Sequence, residues 1–374
     1  AFLASSTNQN ISPMADYSAV AYSLPSPPAL IGPLAPNDAL TKVEYLLEDM
    51  IKGPESLVVD GDTVYTGVHD GRLLKVVEGK IVKEIRLNDT QREFGGHEDE
   101  IHLGRPLGMR KLEGEKIIVA DAYLGVFIAD FENGSKQKVF DSKIPLDGDV
   151  AMFLNDIDLI SNDEIVFTDS SLLYARKDSM RDILGARGTG RVIYHRISTG
   201  ESKVLMNGLH FANGIQVLPD GESFIVAETT RARILRHFFA GTKKGETETF
   251  IENLPGMPDN IRLSNEGRTV WVALAGVRCA GKSNGLERLA NSPKLRQMIR
   301  AILPDHFLRE VLPSLAPKHT IVVEIDLEGK IVASLHDVKG EKMRDISQIS
   351  DSGEYLYFGS FKAPYIARLK KNLI

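Results

Sequence analysis

Leu57-Val-Val-Asp60-Gly61, Thr63-Val-Tyr-Thr-Gly67, Arg72-Leu-Leu-Lys-Val-Val-Glu-Gly79 and Lys80-Ile-Val-Lys-Glu-Ile85 follow one another almost without interruption. Each is a short apolar or alternating run rich in β-branched and aromatic residues. The Asp-Gly and Glu-Gly pairs between them supply the positive backbone φ that a tight hairpin requires. The stretch therefore predicts four antiparallel strands joined by hairpins, and the same grammar recurs through the rest of the chain.

When the chain is aligned by its turns, units of roughly 40 to 50 residues appear, the period of four-stranded propeller blades. Six can be counted. Their openings are Gly53-Pro-Glu-Ser-Leu-Val, Arg105-Pro-Leu-Gly-Met, Leu154-Asn-Asp-Ile-Asp-Leu, Ala212-Asn-Gly-Ile-Gln-Val, Pro258-Asp-Asn-Ile-Arg-Leu and Ile346-Ser-Gln-Ile-Ser. Their second strands correspond as well: Tyr65-Thr-Gly, Val119-Ala-Asp, Phe167-Thr-Asp, Val226-Ala-Glu, Val272-Ala-Leu and Phe358-Gly-Ser. The last unit holds only about three strands, while Val43-Glu-Tyr-Leu-Leu stands alone before the first. The expected fold is an all-β six-bladed β-propeller, residues 41–374, whose N-terminal strand completes the last blade and removes both sheet edges. Residues 1–40, rich in Ser, Asn, Ala and Pro, are an extended lead-in. Between Leu286 and Leu312 the strand pattern stops. Leu286, Leu289, Leu295, Met298, Ile299, Ile302 and Leu303 recur there at helical spacing among Arg288, Lys294, Arg296 and Arg300. This predicts a helical insertion in blade five, about 284–312, as a lid on the propeller face or a helix lying on a membrane.

In a propeller the first strand of every blade lines the central channel. One register of those strands carries Glu55, Asn155, Asn213 and Asp259 from blades one, three, four and five, with Asp156 and Asn260 next to two of them. Asn and Asp at strand starts commonly cap turns. Four matching positions facing one axis point instead to a ligand cage. Carboxylate and amide oxygens without His or Cys form a hard donor set, suited to Ca²⁺ rather than Zn²⁺ or Cu²⁺.

Composition narrows the function further. The 374 residues are 43% hydrophobic and 26% charged with a net charge of -6, which excludes disorder and provides no basic stripe for nucleic acid. A single cysteine, Cys279, rules out an intrachain disulfide, and no Cys/His cluster has zinc spacing. No Gly-x-Ser-x-Gly elbow or phosphate-binding Gly loop is present. No run reaches the ~20 apolar residues of a membrane-spanning helix. The chain begins at Ala1 without methionine, as a processed chain or a fragment does. Asn10-Ile-Ser, Asn88-Asp-Thr and Asn133-Gly-Ser are glycosylation sequons.

Several segments resemble the strictosidine synthase-like family: Gly53-Pro-Glu-Ser, Gly104-Arg-Pro-Leu-Gly, Ala120-Asp-Ala-Tyr, Phe153-Leu-Asn-Asp, Phe167-Thr-Asp-Ser-Ser, Ala212-Asn-Gly-Ile-Gln, Val226-Ala-Glu-Thr-Thr-Arg-Ala-Arg-Ile, Leu254-Pro-Gly-Met-Pro-Asp-Asn-Ile-Arg and Leu356-Tyr-Phe-Gly-Ser-Phe. The similarity runs from about Pro28 to the C-terminus. It implies a six-bladed propeller of the superfamily that includes paraoxonases, gluconolactonases and diisopropyl fluorophosphatase. In the metal-dependent members a channel Ca²⁺ is held by residues matching Glu55, Asn155, Asn213 and Asp259, and in paraoxonases also Asn260. The resemblance further implies a position in the secretory lumen or at the cell surface, tethered through a segment upstream of Ala1.

The departures bear on chemistry. Paraoxonases keep a catalytic histidine where this chain has Leu107. Plant strictosidine synthases keep a glutamate where it has Ser347, so alkaloid synthesis is not expected. The acidic residue that holds a second calcium in paraoxonases is Ser56 here, and one ion is expected. Related membrane-associated members carry a cysteine pair before Gly-Arg-Pro-Leu-Gly, whereas this chain has Phe94-Gly-Gly-His-Glu-Asp-Glu-Ile-His-Leu, a loop that must be held some other way. His210, three residues before Asn213, is the histidine nearest the ring in sequence, and His97 and His102 lie in the acidic loop. The expected activity is Ca²⁺-dependent hydrolysis of small, relatively apolar esters, lactones or organophosphates, with Asp259 and Asn260 acting on substrate. The alternative is a non-catalytic membrane-associated or luminal glycoprotein that uses the propeller for binding.

Overall fold

The computed structural model describes residues 18–90, 92–278, 285–311, 313 and 317–374. Cys279 and the Asn10 sequon lie outside them. Six four-stranded antiparallel sheets form in chain order, each pairing its own strands consecutively. The exception is the last, where Glu44–Leu46 adds to Ile366–Lys370 with Glu44 opposite Arg368. The N-terminal strand therefore closes the ring as the unpaired Val43-Glu-Tyr-Leu-Leu segment predicted.

The period-2 pattern has a direct packing cause. Each blade is buried on both faces, so alternate residues feed two different cores. In blade two, Ile117 and Val119 pack with Val58, Tyr65 and Leu73 of blade one. Their neighbours Ile118 and Ala120 pack with Leu154, Ile157 and Phe167 of blade three. Six such interblade cores encircle the axis. The lead-in joins them: Leu34 enters the core between blades four and five, and Leu40 the core between blades five and six. Asn37 holds it there by donating to Ser334 O at 2.9 Å and accepting from His336 N at 3.0 Å.

The innermost strands are Leu57–Asp60, Pro106–Lys111, Leu154–Leu159, Ala212–Val217, Gly256–Leu263 and Ile346–Asp351. In blades two to six their pairing slips at the same place, between Pro106 and Met109, Leu154 and Ile157, Ala212 and Ile215, Pro258 and Ile261, and Ile346 and Gln348. A bulge re-aims side chains, and here it leaves two consecutive residues outside the regular ladder in blades two to five and one, Ser347, in blade six. Those are the positions of Asn155 and Asp156, and of Asp259 and Asn260. In blade one Glu55 and Ser56 instead precede the strand.

Crowding at the axis dictates glycine where two bulges meet. A Cβ on Gly108 would stand 2.5 Å from Asp156 Cα, and one on Gly214 would stand 2.5 Å from Asp259 O and 2.6 Å from Asn260 Cα. These are backbone atoms that cannot rotate away. Gly214→Ala is expected to destabilise the fold by about 1–3 kcal/mol, read as a fall in the urea midpoint at unchanged slope. A midpoint equal to wild type would contradict the close approach.

Candidate metal centre at the channel mouth

Innermost strands begin, and second strands end, at one face of the propeller, and Glu55, Asn155, Asn213 and Asp259 all lie at that end. None is more than 5% exposed. The two asparagines are oriented by hydroxyls that the second strands deliver. Asn155 Nδ2 donates to Ser170 Oγ at 2.9 Å, and that hydroxyl donates to Ala212 O of the next blade. Asn213 Nδ2 donates to Thr229 Oγ1 at 3.1 Å, which donates to Pro258 O. Each amide nitrogen is thus engaged, and each relay ends on the carbonyl just before the next ring residue. The amide oxygens Asn155 Oδ1 and Asn213 Oδ1 are left buried without partners, as are Glu55 Oε2 and both amide atoms of Asn260. Orphaned buried oxygens are costly unless something charged or polar meets them.

The carboxylates carry the same message. Burial and the nearby Glu55 push Asp259 well above the usual carboxylate range, against the Asn213 amide beside it. Burial also raises Glu55, although the Arg105 guanidinium opposes the shift. Asp156, by contrast, is already neutralised. Arg262 reaches its two oxygens at 2.6 and 2.8 Å, and Arg110 stands at 3.4 Å. Only Glu55 and Asp259 therefore present charge to the ring. Among the described residues no group of three His, Cys, Asp or Glu converges, so two carboxylates and the amide oxygens make up the donor set. That set fits a hard divalent cation, whose charge would cancel the mutual repulsion of the two acids.

Sequence reasoning missed the groups above this ring. Arg105, fully buried, places Nη2 2.8 Å from Gly53 O and 3.7 Å from Glu55 Oε2. Burial and the cation Arg176 lower it to about 10. Arg176 Nη1 in turn donates to both oxygens of Glu100, at 2.8 and 2.7 Å. Tyr123 OH donates to Glu100 at 3.0 Å, and His97 Nδ1 lies 2.9 Å from it. Burial alone would raise Glu100, but these partners, Arg176 foremost, hold it below its ordinary value. This ion pair holds the acidic loop, helped by Asp99, which accepts from Gly95 N at 2.7 Å and pairs with Arg92 at 2.6 Å. His69, in the turn after Gly67, packs at a tilt against Phe94 with ring centroids 4.1 Å apart, and burial together with Arg105 lowers it to about 4. It is a neutral imidazole on the ring's face. His210 is held elsewhere: its Nε2 faces Arg231 Nη2 at 3.2 Å. Leu107 packs with Phe153 and Phe211. The signal for Arg105 was its place in Gly104-Arg-Pro-Leu-Gly; for Arg176 there was none.

The blade-five insertion lies on this same face as a lid. Its helix Pro293–Ile302 packs on the helix Ser179–Gly185 of blade three. Further on, Glu310 stands 3.6 Å from His97 Nε2 and 3.4 Å from Lys362 of blade six. An insertion that leaves blade five and touches blades three and six and the loop between blades one and two crosses the mouth, covering the ring.

The molecule is thus a six-bladed propeller with an oxygen-lined ring under a lid, and its propeller fold is shared with solved structures. Regucalcin from Agrobacterium tumefaciens, described as a calcium-binding protein, is similar with a TM-score of 0.55 at 15% identity over 87% of this chain and 92% of that one. A gluconolactonase from Xanthomonas campestris is similar at 0.56 and 14% identity over 94% and 97%. At such identities the likeness is one of fold. The chain itself belongs to the strictosidine synthase-like family, as its relatives show. It is 38% identical over 348 residues to the adipocyte plasma membrane-associated protein of Gallus gallus, and 35% identical over 353 residues to that of Homo sapiens, covering 93% of this chain and 82% of each relative. Family models described as "Strictosidine synthase" and "Strictosidine synthase-like, N-terminal" match residues 155–242 and 32–76.

Because Glu55 and Asp259 titrate above the unfolded range of about 4, the cation-free protein is most stable with both protonated and loses that stability as pH rises through their raised values. In EDTA, Asp259→Asn is expected to melt at least about 2 °C above wild type at pH 8, the gap closing toward pH 4. A mutant that melts lower at pH 8 would show that the two acids do not repel.

Proposed function

We propose that the ring binds one Ca²⁺ through Glu55, Asn155, Asn213 and Asp259, and that the protein hydrolyses small, relatively apolar esters, lactones or organophosphates there. The observation that carries this reading is the set of buried, partnerless oxygens, Glu55 Oε2, Asn155 Oδ1 and Asn213 Oδ1, beside a second buried carboxylate. A bound divalent cation supplies a Lewis acid for a carbonyl or phosphoryl oxygen. Asp259 is the group positioned to attack the substrate or to take a proton from water. Asn260, with both amide atoms uncommitted, is the donor that orients the substrate oxygen. The lid excludes bulk water. The gluconolactonase likeness supports a small lactone-like substrate class at the level of the fold. Alkaloid synthesis is not proposed: Ser347, where plant synthases place glutamate, spends its hydroxyl on Glu55 O at 2.8 Å.

A second reading, a binding protein without catalysis, is favoured by the near-complete burial of the ring under the Glu100–Arg176 latch. One experiment separates the two. Calcium at 100 times its Kd should add about 2.7 kcal/mol of stability by mass action, and Asp259→Asn should abolish both that gain and phenyl acetate hydrolysis. A melting curve indifferent to calcium and EDTA sinks both readings of the ring; a calcium-dependent melt without hydrolysis selects the second.

The names of the relatives support a membrane-associated setting, and the proposed location is the secretory lumen or cell surface. The sequons are then unequal. Asn133 is exposed in a turn, whereas Asn88 is half-buried and its amide donates to His102 O, helping to hold the acidic loop. Secreted from eukaryotic cells, the chain should carry a glycan at Asn133 and none at Asn88. A wild type whose mobility does not change on glycosidase treatment, or an Asn133→Gln variant that migrates like untreated wild type, would refute this.

A further inference from the structure

The lid helix Pro293–Ile302 is amphipathic in an inverted sense. Arg296 and Arg300 are buried, while Leu295, Met298 and Ile302 are 40%, 51% and 69% exposed. At 3.6 residues per turn the three apolar side chains fall within about 60° of arc, and the two arginines lie about 160° away. The arginines face inward because the propeller offers them acceptors. Arg296 donates to the carbonyls of Leu289 and Ala290 at 3.0 and 3.1 Å and to those of Val20 and Leu184, and Arg300 donates to Tyr174 OH. The apolar stripe is what remains on the outside. Two nearby aliphatics on other segments of the mouth are also exposed: Ile101, on the loop latched by Glu100, and Val20, whose N–H donates to Gly185 O.

We infer that this lid face docks on a lipid bilayer surface, with Leu295, Met298 and Ile302 entering the headgroup boundary. Two observations select that occupant. The described chain begins beside this helix, where Ala19 N donates to Gln297 Oε1 at 3.0 Å, so the N-terminal segment meets the propeller on the lid face. The stripe is also too small for a protein partner. A ten-residue helix is about 15 Å long, and one line of side chains along it falls far short of the ~800 Å² per partner of a stable interface. A bilayer requires no matching partner surface and takes up exposed aliphatic side chains one by one. Residues 1–17 hold only scattered apolar side chains among Ser, Asn and Thr. The inference does not depend on the chemistry of the ring.

The test is flotation of the purified chain with phosphatidylcholine vesicles containing phosphatidylserine, in EDTA so that the ring's cation plays no part. Wild type should float. The triple variant Leu295→Glu, Met298→Glu, Ile302→Glu should lose at least about ten-fold in partitioning with an unchanged melting curve, because these side chains are exposed. Val82→Glu with Val332→Glu, exposed on the outermost strands of blades one and five, should float like wild type. The inference is overturned if wild type stays at the bottom of the gradient, or if the triple variant floats equally. It is also overturned if wild type is a dimer that the triple variant dissociates, or if flotation appears only after deletion of residues 1–17.

Discussion

Six strands converging on one axis leave so little room that their backbones nearly touch, and most of the remaining structure follows from that crowding. At Gly108 and Gly214 even a methyl group would collide with the neighbouring blade. The bulges relieve the congestion by letting two successive residues per strand leave the ladder. The side chains so placed are polar, because the axis is where strand ends bring carbonyls and hydroxyls that need partners.

The polar interior divides into two levels with different electrostatics. Deeper in the channel, Asp156 and Asp158 are matched by Arg262 and Arg110, with Gln216 and backbone amides completing the network. That level is saturated and serves to hold the blades in register. At the mouth, Glu55 and Asp259 have no comparable matching cation, and Arg105 stands off at 3.7 Å without a hydrogen bond to Glu55. Two buried like charges stay above the normal range until something neutralises them. The contrast between the levels makes the mouth the place where an external cation has most to contribute.

The lid is held by the same currency used differently. Arg278 and Arg296 are fully buried: Arg278 pairs with Glu287 at 2.7 Å and donates to Pro25 O and Leu254 O, and Arg296 is satisfied by backbone carbonyls, Val20 O and Leu184 O among them. Guanidinium groups suit this role because they present several donors in one plane. By turning inward they close the mouth, and they leave the aliphatic edge of the helix facing out.

The sequence alone determined the blade count, the closing strand, the position of the helical insertion and the register carrying Glu55, Asn155, Asn213 and Asp259. Strand periodicity, turn residues and repeat spacing are local properties written along the chain, and a repeated unit exposes its register by comparison with its neighbours. Only the tertiary structure decided what surrounds that register. The hydroxyls of Ser170 and Thr229 orient the asparagines, Arg105 and Arg176 come from different blades to stand over Glu55, and Glu100 ties the acidic loop to Arg176 through an ion pair. The asparagine–hydroxyl pairs lie 15 and 16 positions apart, but the Arg176–Glu100 pair spans 76 positions, and no spacing rule relates such residues. The insertion shows the same limit. Its helical period was legible, but the alternation of basic and apolar residues did not reveal which face turns inward, because that depends on the carbonyls that happen to lie beneath it.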